Sequence, residues 1–159
     1  MINKIFIDTS VFIRFLTKDD TSKYEECKDL FVSIEKGALR PYISQVIILE
    51  IIFVLTRLYS FPKAKVMDAI DEIYKLRNIT VIEKTSTKKA LKMFSAHKIK
   101  YQDCLIATQL PKNTALITYD KEFDKIINLS SMTPDQIFLV DTVIMNTNET
   151  RIHRSWKSR

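Results

Sequence analysis

Four acidic side chains stand where an α/β protein gathers its chemistry. Asp8 directly follows an apolar run of three residues, and Asp120 comes three residues after another. Open α/β sheets bind ligands beyond the carboxyl ends of their strands, so both acids are expected at that edge. Asp103 precedes an apolar run of helical character, and Glu50 is the one charged residue in the stretch 46–55.

The residue types narrow the chemistry. Burying Glu50 in an apolar helix is costly unless its charge is paired or bound to a cation, and an ion pair with Lys or Arg is one such solution. Asp8, Asp103 and Asp120 each begin a predicted helix, so each could also serve as a helix cap. Converging carboxylates favour a hard cation such as Mg²⁺ or Mn²⁺.

The elements that position these acids alternate between strand and helix. Short apolar stretches predict strands at residues 5–7, 41–43, 79–82, 115–118 and 137–140. Helices are predicted between them, including residues 85–98, 103–110 and 120–127, with Ser44 as the cap of the helix that holds Glu50. This alternation predicts an α/β fold with a parallel sheet and helices on both faces.

Composition excludes several other classes of protein. The net charge of +6, in a chain that concentrates acids in one pocket, favours an anionic partner, with nucleic acid ahead of a membrane surface and solubility alone as the alternative. A single glycine excludes the glycine-rich phosphate loops and the nucleophile elbow. Two histidines and two cysteines argue against structural zinc. With no apolar run of ~20 residues and no disulfide framework, no membrane segment and a cytoplasmic location are expected.

Four motifs in order resemble the PIN-domain nucleases. They are residues 6–11 around Asp8, Glu50 after Ser44, residues 101–107 around Asp103, and the T-x-D-x-x-F pattern of residues 118–123 around Asp120. The resemblance spans roughly residues 3 to 140, and the one-domain format is most similar to the VapC-type toxins of toxin–antitoxin pairs.

The resemblance implies a three-layer α/β/α fold with a central five-stranded parallel sheet in residues 1–145, followed by a basic tail at 146–159. It implies an endoribonuclease dependent on Mg²⁺, with Mn²⁺ as an option, whose catalytic and metal-binding residues are Asp8, Glu50, Asp103 and Asp120. Asp8 and Asp103 are the expected direct ligands. The expected supporting residues, which would orient water or a phosphate, are Thr9, Ser10 and Thr118, with Asp124 either in the pocket or simply solvated.

The implied partners are an RNA substrate, a cognate antitoxin protein and, as a further option, a second copy of the chain. Candidate phosphate contacts are Arg14, Lys98, Lys100 and the basic tail around Trp156. A housekeeping RNA-processing nuclease and a catalytically silent binding module on the same fold remain alternatives. A phosphoacceptor domain of the receiver type is disfavoured, because Thr9 rather than a second acid follows Asp8.

Overall fold

A computed structural model describes residues 2–140 of the 159-residue chain. The elements, in chain order, are β1 (Lys4–Ile7), α1 (Thr9–Thr17), α2 (Thr21–Glu35), β2 (Arg40–Ser44), α3 (Gln45–Arg57), α4 (Lys63–Tyr74), β3 (Thr80–Ile82), α5 (Thr87–Ala96), α6 (Tyr101–Gln109), β4 (Ala115–Ile117), a 3₁₀ helix (Lys121–Lys125) and β5 (Ser131–Met132). The basic tail at 146–159 lies outside the described residues, so its suggested role stays a prediction. None of the helices in residues 2–140 combines the length and apolar character that a membrane span requires.

The five strands form one parallel sheet in the order β3-β2-β1-β4-β5, which confirms the predicted α/β architecture. The central strand β1 pairs with β2 on one side and β4 on the other. The chain therefore adds β2 and β3 on one side of β1, then returns and adds β4 and β5 on the other side. Ligands bind at such a reversal of strand order, between β1 and β4 at their carboxyl ends.

Burial explains why the central strands are uniformly apolar. Ile5, Phe6 and Ile7 of β1 are fully buried, as are Leu116 and Ile117 of β4. Parallel strands covered by helices on both faces need apolar side chains in both directions, so they lack the alternation of half-exposed strands. The buried ends of β1 and β4 thus give rigid starting points for the polar residues that follow them.

The prediction of a strand at residues 137–140 is wrong. Residues 136–140 are helical, and the fifth strand is the short Ser131–Met132. The side-chain Oε1 of Gln136 accepts a hydrogen bond from the backbone N of Thr133 at 2.9 Å, and Thr133 is followed three residues later by Gln136. This bond is one half of the capping box that begins many helices, while the Thr133 hydroxyl donates to Asp135. The apolar run predicts a strand when taken alone, whereas the polar residues before it start a helix.

Two further helix predictions need correction. The helix predicted at 120–127 is a 3₁₀ helix confined to Lys121–Lys125, and the helix predicted at 103–110 begins two residues earlier, at Tyr101. Ser44 does occupy the position before α3, but its side chain makes no capping hydrogen bond. Asp103 consequently lies in the first turn of its helix and does not cap it.

Candidate active site

Asp8 is held at the junction between β1 and α1. Its backbone N donates to Ile117 O at 2.9 Å, which ties the end of β1 to β4. Its side chain is 5% exposed, and Oδ2 accepts hydrogen bonds from Ser10 Oγ (2.7 Å), Ser10 N (3.2 Å) and Thr118 Oγ1 (2.8 Å). Burial raises the pKa of Asp8, and these hydrogen bonds oppose the rise. Asp8 therefore caps α1 and also presents a fixed carboxylate between the two central strands.

Thr118 connects the acids that follow β1 and β4. While its hydroxyl donates to Asp8, the same oxygen accepts a hydrogen bond from Asp120 N at 2.9 Å. Its backbone N donates to Met132 O at 2.9 Å, which fixes the residue against β5. Sequence reasoning expected this hydroxyl, with those of Thr9 and Ser10, to orient water or phosphate. In the structure all three hydroxyls donate to carboxylates instead.

Glu50 projects from α3 and is half-buried. Its Oε2 accepts a hydrogen bond from Thr9 Oγ1 at 2.7 Å, and among the described residues no Lys or Arg is within ion-pair distance of it. The ion-pair alternative is therefore not what these residues form. Burial raises the pKa of Glu50, the Thr9 hydrogen bond opposes the rise, and the charge of Asp8 adds to it.

Asp103 is buried and carries a carboxylate oxygen that lacks a hydrogen-bond partner among residues 2–140. The residue is 6% exposed, and the oxygen without a partner is Oδ2. Burial raises its pKa to about 6, and the charges of Asp120, Asp8 and Glu50 add to the effect while Lys100 opposes it. The structure thus brings the four acids within electrostatic range of one another, although they come from four separate stretches of sequence.

Asp120 stands at the open side of this group. Its Oδ1 accepts from Glu122 N at 2.9 Å, so it caps the 3₁₀ helix, and its Oδ2 is 3.9 Å from Lys100 Nζ. Lys100 keeps 64% of its side chain exposed, which leaves the ammonium free to exchange partners. Asp124 is exposed and accepts a hydrogen bond from Ser131 Oγ at 2.7 Å, so its carboxylate is engaged with β5.

Sequence reasoning missed Tyr119, which lies between Thr118 and Asp120. Its hydroxyl donates to Glu26 Oε2 at 2.8 Å, and its backbone N donates to Ser10 Oγ at 3.0 Å. The residue therefore ties the segment after β4 to both α2 and the start of α1. Its position between two predicted site residues was the available signal.

The donor set suits a divalent cation, although residues 2–140 do not form a preassembled metal cage. No group of three or more Asp, Glu, His or Cys side chains within residues 2–140 is arranged to hold a metal ion as it stands. Mg²⁺ is usually bound through one or two carboxylates and keeps several waters, so a complete protein cage is not required. A buried carboxylate oxygen without a partner, as at Asp103, is costly unless a cation or water satisfies it. The residues therefore fit a hydrated Mg²⁺ or Mn²⁺.

Comparison with known proteins agrees with this geometry. The PIN domain family matches residues 5–129, and the chain belongs to that family. A VapC ribonuclease from Aquifex aeolicus (strain VF5) is 20% identical over 122 residues, covering 76% of this chain and 90% of that protein. PIN-domain proteins of this kind are nucleases that generally use divalent metal ions.

Two solved structures share the fold. VapBC2 from Rickettsia felis, bound to a DNA fragment from their promoter, superposes with a TM-score of 0.59 at 17% identity, covering 82% of this chain and 98% of that one. PAE2754 from Pyrobaculum aerophilum gives a TM-score of 0.57 at 15% identity, covering 91% and 92%. The predicted family and its three-layer fold are thereby confirmed.

Thr118→Val is expected to lower nuclease activity about 10- to 100-fold, the usual effect of removing a group that orients a metal ligand. Valine keeps the shape of threonine but leaves Asp8 Oδ2 and Asp120 N each short of one hydrogen bond. Thr17→Val is the matched control, because the Thr17 hydroxyl donates to Ile13 O and its other partners, Asp19 and Tyr59, are not among the four acids. Equal cleavage rates for Thr118→Val and the wild type would show that this hydroxyl does not position the acids.

Proposed function

We propose that the chain is a metal-dependent endoribonuclease that cleaves RNA phosphodiester bonds in the pocket of Asp8, Glu50, Asp103 and Asp120. The observation that carries the proposal is the buried Asp103 carboxylate, whose Oδ2 has no partner among residues 2–140 and whose pKa is raised to about 6. Four acids that repel one another are stable together only when a cation or protons neutralise them. The ribonuclease named among the relatives supports RNA as the substrate.

Asp8 and Asp103 would hold the ion directly, and Glu50 and Asp120 would act through water or on a second ion. When bound, Mg²⁺ or Mn²⁺ supplies charge stabilisation at the scissile phosphate and lowers the pKa of a water. The chain's own contribution is orientation. Ser10 and Thr118 hold Asp8 Oδ2, and Thr9 holds Glu50 Oε2.

The reaction itself is a hydrolysis. A water attacks the phosphorus in line, the bond from phosphorus to the 3′ oxygen breaks, and that oxygen gains a proton. The products carry a 5′-phosphate and a 3′-hydroxyl. Lys100 lies beside Asp120 and is mostly exposed, which suits it to contact an RNA phosphate once the acids are neutralised.

The biological role that we propose is the toxin of a toxin–antitoxin pair. The VapC ribonuclease and the VapBC2 complex among the similar proteins support it. An apolar groove of about 450 Å³ between α1, α2 and α4, lined by residues such as Phe15 and Leu76, offers a surface for a protein partner. A small open reading frame directly upstream, encoding a protein with an N-terminal DNA-binding segment, would favour this role over that of a housekeeping RNA-processing nuclease.

The second partner that we propose is another copy of the chain, with which it would form a homodimer. Leu49 and Phe53 lie one turn apart on α3 and are 66% and 57% exposed, which is unusual for large apolar side chains on the same helix face. A monomeric mass by light scattering across a concentration series would contradict the dimer.

The activity is tested by incubating the purified protein with labelled RNA and separate additions of Mg²⁺, Mn²⁺ and excess EDTA. Cleavage is expected with either metal and not with EDTA, and the new RNA ends should carry 5′-phosphate. Cleavage at full rate in EDTA would contradict the metal mechanism. Metal binding without cleavage of any RNA would favour the catalytically silent module.

The affinity for Mn²⁺ is expected to fall about tenfold between pH 7 and pH 5, because a ligand must lose its proton to bind a metal. The pKa of Asp103 is raised to about 6, so its carboxylate is mostly ionised at pH 7 and mostly protonated at pH 5. Calorimetric titration of Mn²⁺ at the two pH values measures the change. Asp103→Asn should bind weakly at both, and an unchanged affinity in the wild type would rule out Asp103 as a ligand.

A further inference from the structure

A small cavity of about 140 Å³ opens beside Asp120, one of the four acids. It lies between the end of β4, the 3₁₀ helix and β5, and Asp120 forms part of its wall. Thr118 also lines it and donates to Asp8, so the cavity adjoins the acid pocket through residues that the two share. A group in this cavity would sit next to whatever is bound at the acids.

The charges that line the cavity select against a phosphate. Asp120 and Asp124 contribute two carboxylates, while Lys121 contributes one ammonium. A neutral group that offers hydrogen-bond donors is therefore better suited than an anion. The volume is close to that of cavities of roughly 150 Å³ that hold a benzene-sized ring. Met132 adds an apolar, polarisable side chain to the wall, against which a flat ring can pack.

The cavity also offers two exposed polar side chains, Gln136 and Asp124, each held by one hydrogen bond. Gln136 lines it, and its Oε1 is occupied by the backbone N of Thr133 at 2.9 Å. Because the backbone N–H of Thr133 must face the oxygen of the Gln136 amide, the orientation of that amide is defined. Its Nε2 group points the other way and has no hydrogen-bond partner among residues 2–140. Asp124 is held by Ser131 Oγ at 2.7 Å, and an ionised carboxylate can accept further hydrogen bonds.

We propose that this cavity is a base-binding subsite that receives one pyrimidine of the RNA, next to the scissile phosphate. Gln136 Nε2 donates to a ring acceptor of the base, and Asp124 accepts from a base N–H, as carboxylates accept from the amino group of cytosine. The cavity has room for one ring, so it disfavours the two-ring purine bases. This inference rests on the proposed ribonuclease function, to which it adds a specificity-determining site.

The first test maps cleavage positions on an RNA of random sequence by sequencing the new 5′ ends. The wild type is expected to enrich pyrimidines at one position flanking the cleaved bond. Gln136→Glu keeps an acceptor for Thr133 N, and so keeps the helix start, but it removes the donor. It should reduce the enrichment at that position about fivefold, the value of one hydrogen bond, and leave the other positions unchanged. Gln45→Glu, at the same sheet edge but outside the cavity, makes the matched charge change and should not alter the preference.

The second test does not depend on cleavage. Cytidine 5′-monophosphate and ribose 5-phosphate are titrated separately into the wild-type protein, and the Met132 methyl and Gln136 side-chain amide signals are followed by NMR. Shifts with the nucleotide alone are expected. Equal shifts with both compounds, or preserved pyrimidine enrichment in Gln136→Glu, would overturn the subsite and leave the ribonuclease proposal standing. A protein that shifts with the nucleotide but cleaves no RNA would instead contradict the ribonuclease proposal alone.

Discussion

Asp8→Asn is expected to lower RNA cleavage by at least about 100-fold, since even groups that only orient a metal ligand cost 10- to 100-fold when they are lost. The asparagine Oδ1 can take the place of Asp8 Oδ2 and still accept from Ser10 and Thr118. Asparagine is also as good a helix cap as aspartate. The fold should therefore persist while the charge that we propose to hold the metal is lost. Initial cleavage rates and circular dichroism measure the two effects.

Asp20→Asn provides a matched control for this change. Asp20 caps α2 by accepting from Lys23 N at 3.1 Å, so the same substitution is made at a helix start outside the acid pocket. It should leave cleavage at the wild-type rate. Wild-type cleavage by Asp8→Asn, or equal losses in the two variants, would show that Asp8 acts only as a cap.

Asp103→Asn is expected to stabilise the metal-free protein at pH 7 by roughly 1–3 kcal/mol. The pKa of Asp103 is about 6 in the folded protein against an ordinary value of 3.8. Between these values the folded state binds more protons than the unfolded state, so the free energy of unfolding falls as pH rises from about 4 to about 6. Asparagine does not ionise, so in the variant this position no longer lowers the free energy of unfolding as pH rises.

The measurement is urea unfolding at pH 4, 5, 6 and 7 in EDTA, repeated at pH 7 with Mg²⁺. The wild type should lose stability over this pH range, whereas Asp103→Asn should lose less. Mg²⁺ should stabilise the wild type more than the variant, because the variant lacks one of the proposed ligands. Asp68→Asn, an exposed position on α4, serves as the control for the loss of one charge. Lower stability of metal-free Asp103→Asn at pH 7 would show that the carboxylate is satisfied structurally.

Much of the fold followed from local sequence. The apolar runs before Asp8 and Asp120 predicted β1 and β4, and the positions of the four acids predicted a shared site at the strand ends. The strand predictions were confirmed, because short, fully buried strands are marked by continuous apolar runs. The metal ligation itself stays a prediction, since the structure shows the acids near one another and not an assembled cage.

Long-range contacts decided the rest. The sequence by itself predicted that these four acids would lie together, and the structure places them within electrostatic range of one another. Only the tertiary structure showed that Thr118 joins Asp8 to Asp120, that Thr9 holds Glu50, and that Lys100 approaches Asp120. The bond from Thr118 to Asp8 depends on strand order, which places β4 beside β1 although more than a hundred residues separate them. The cavity beside Asp120 arises in the same way, because it forms only where the 3₁₀ helix, β5 and the capped turn at Gln136 meet. Side-chain pairing across such distances is set by packing of the whole chain, and no local pattern in the sequence encodes it.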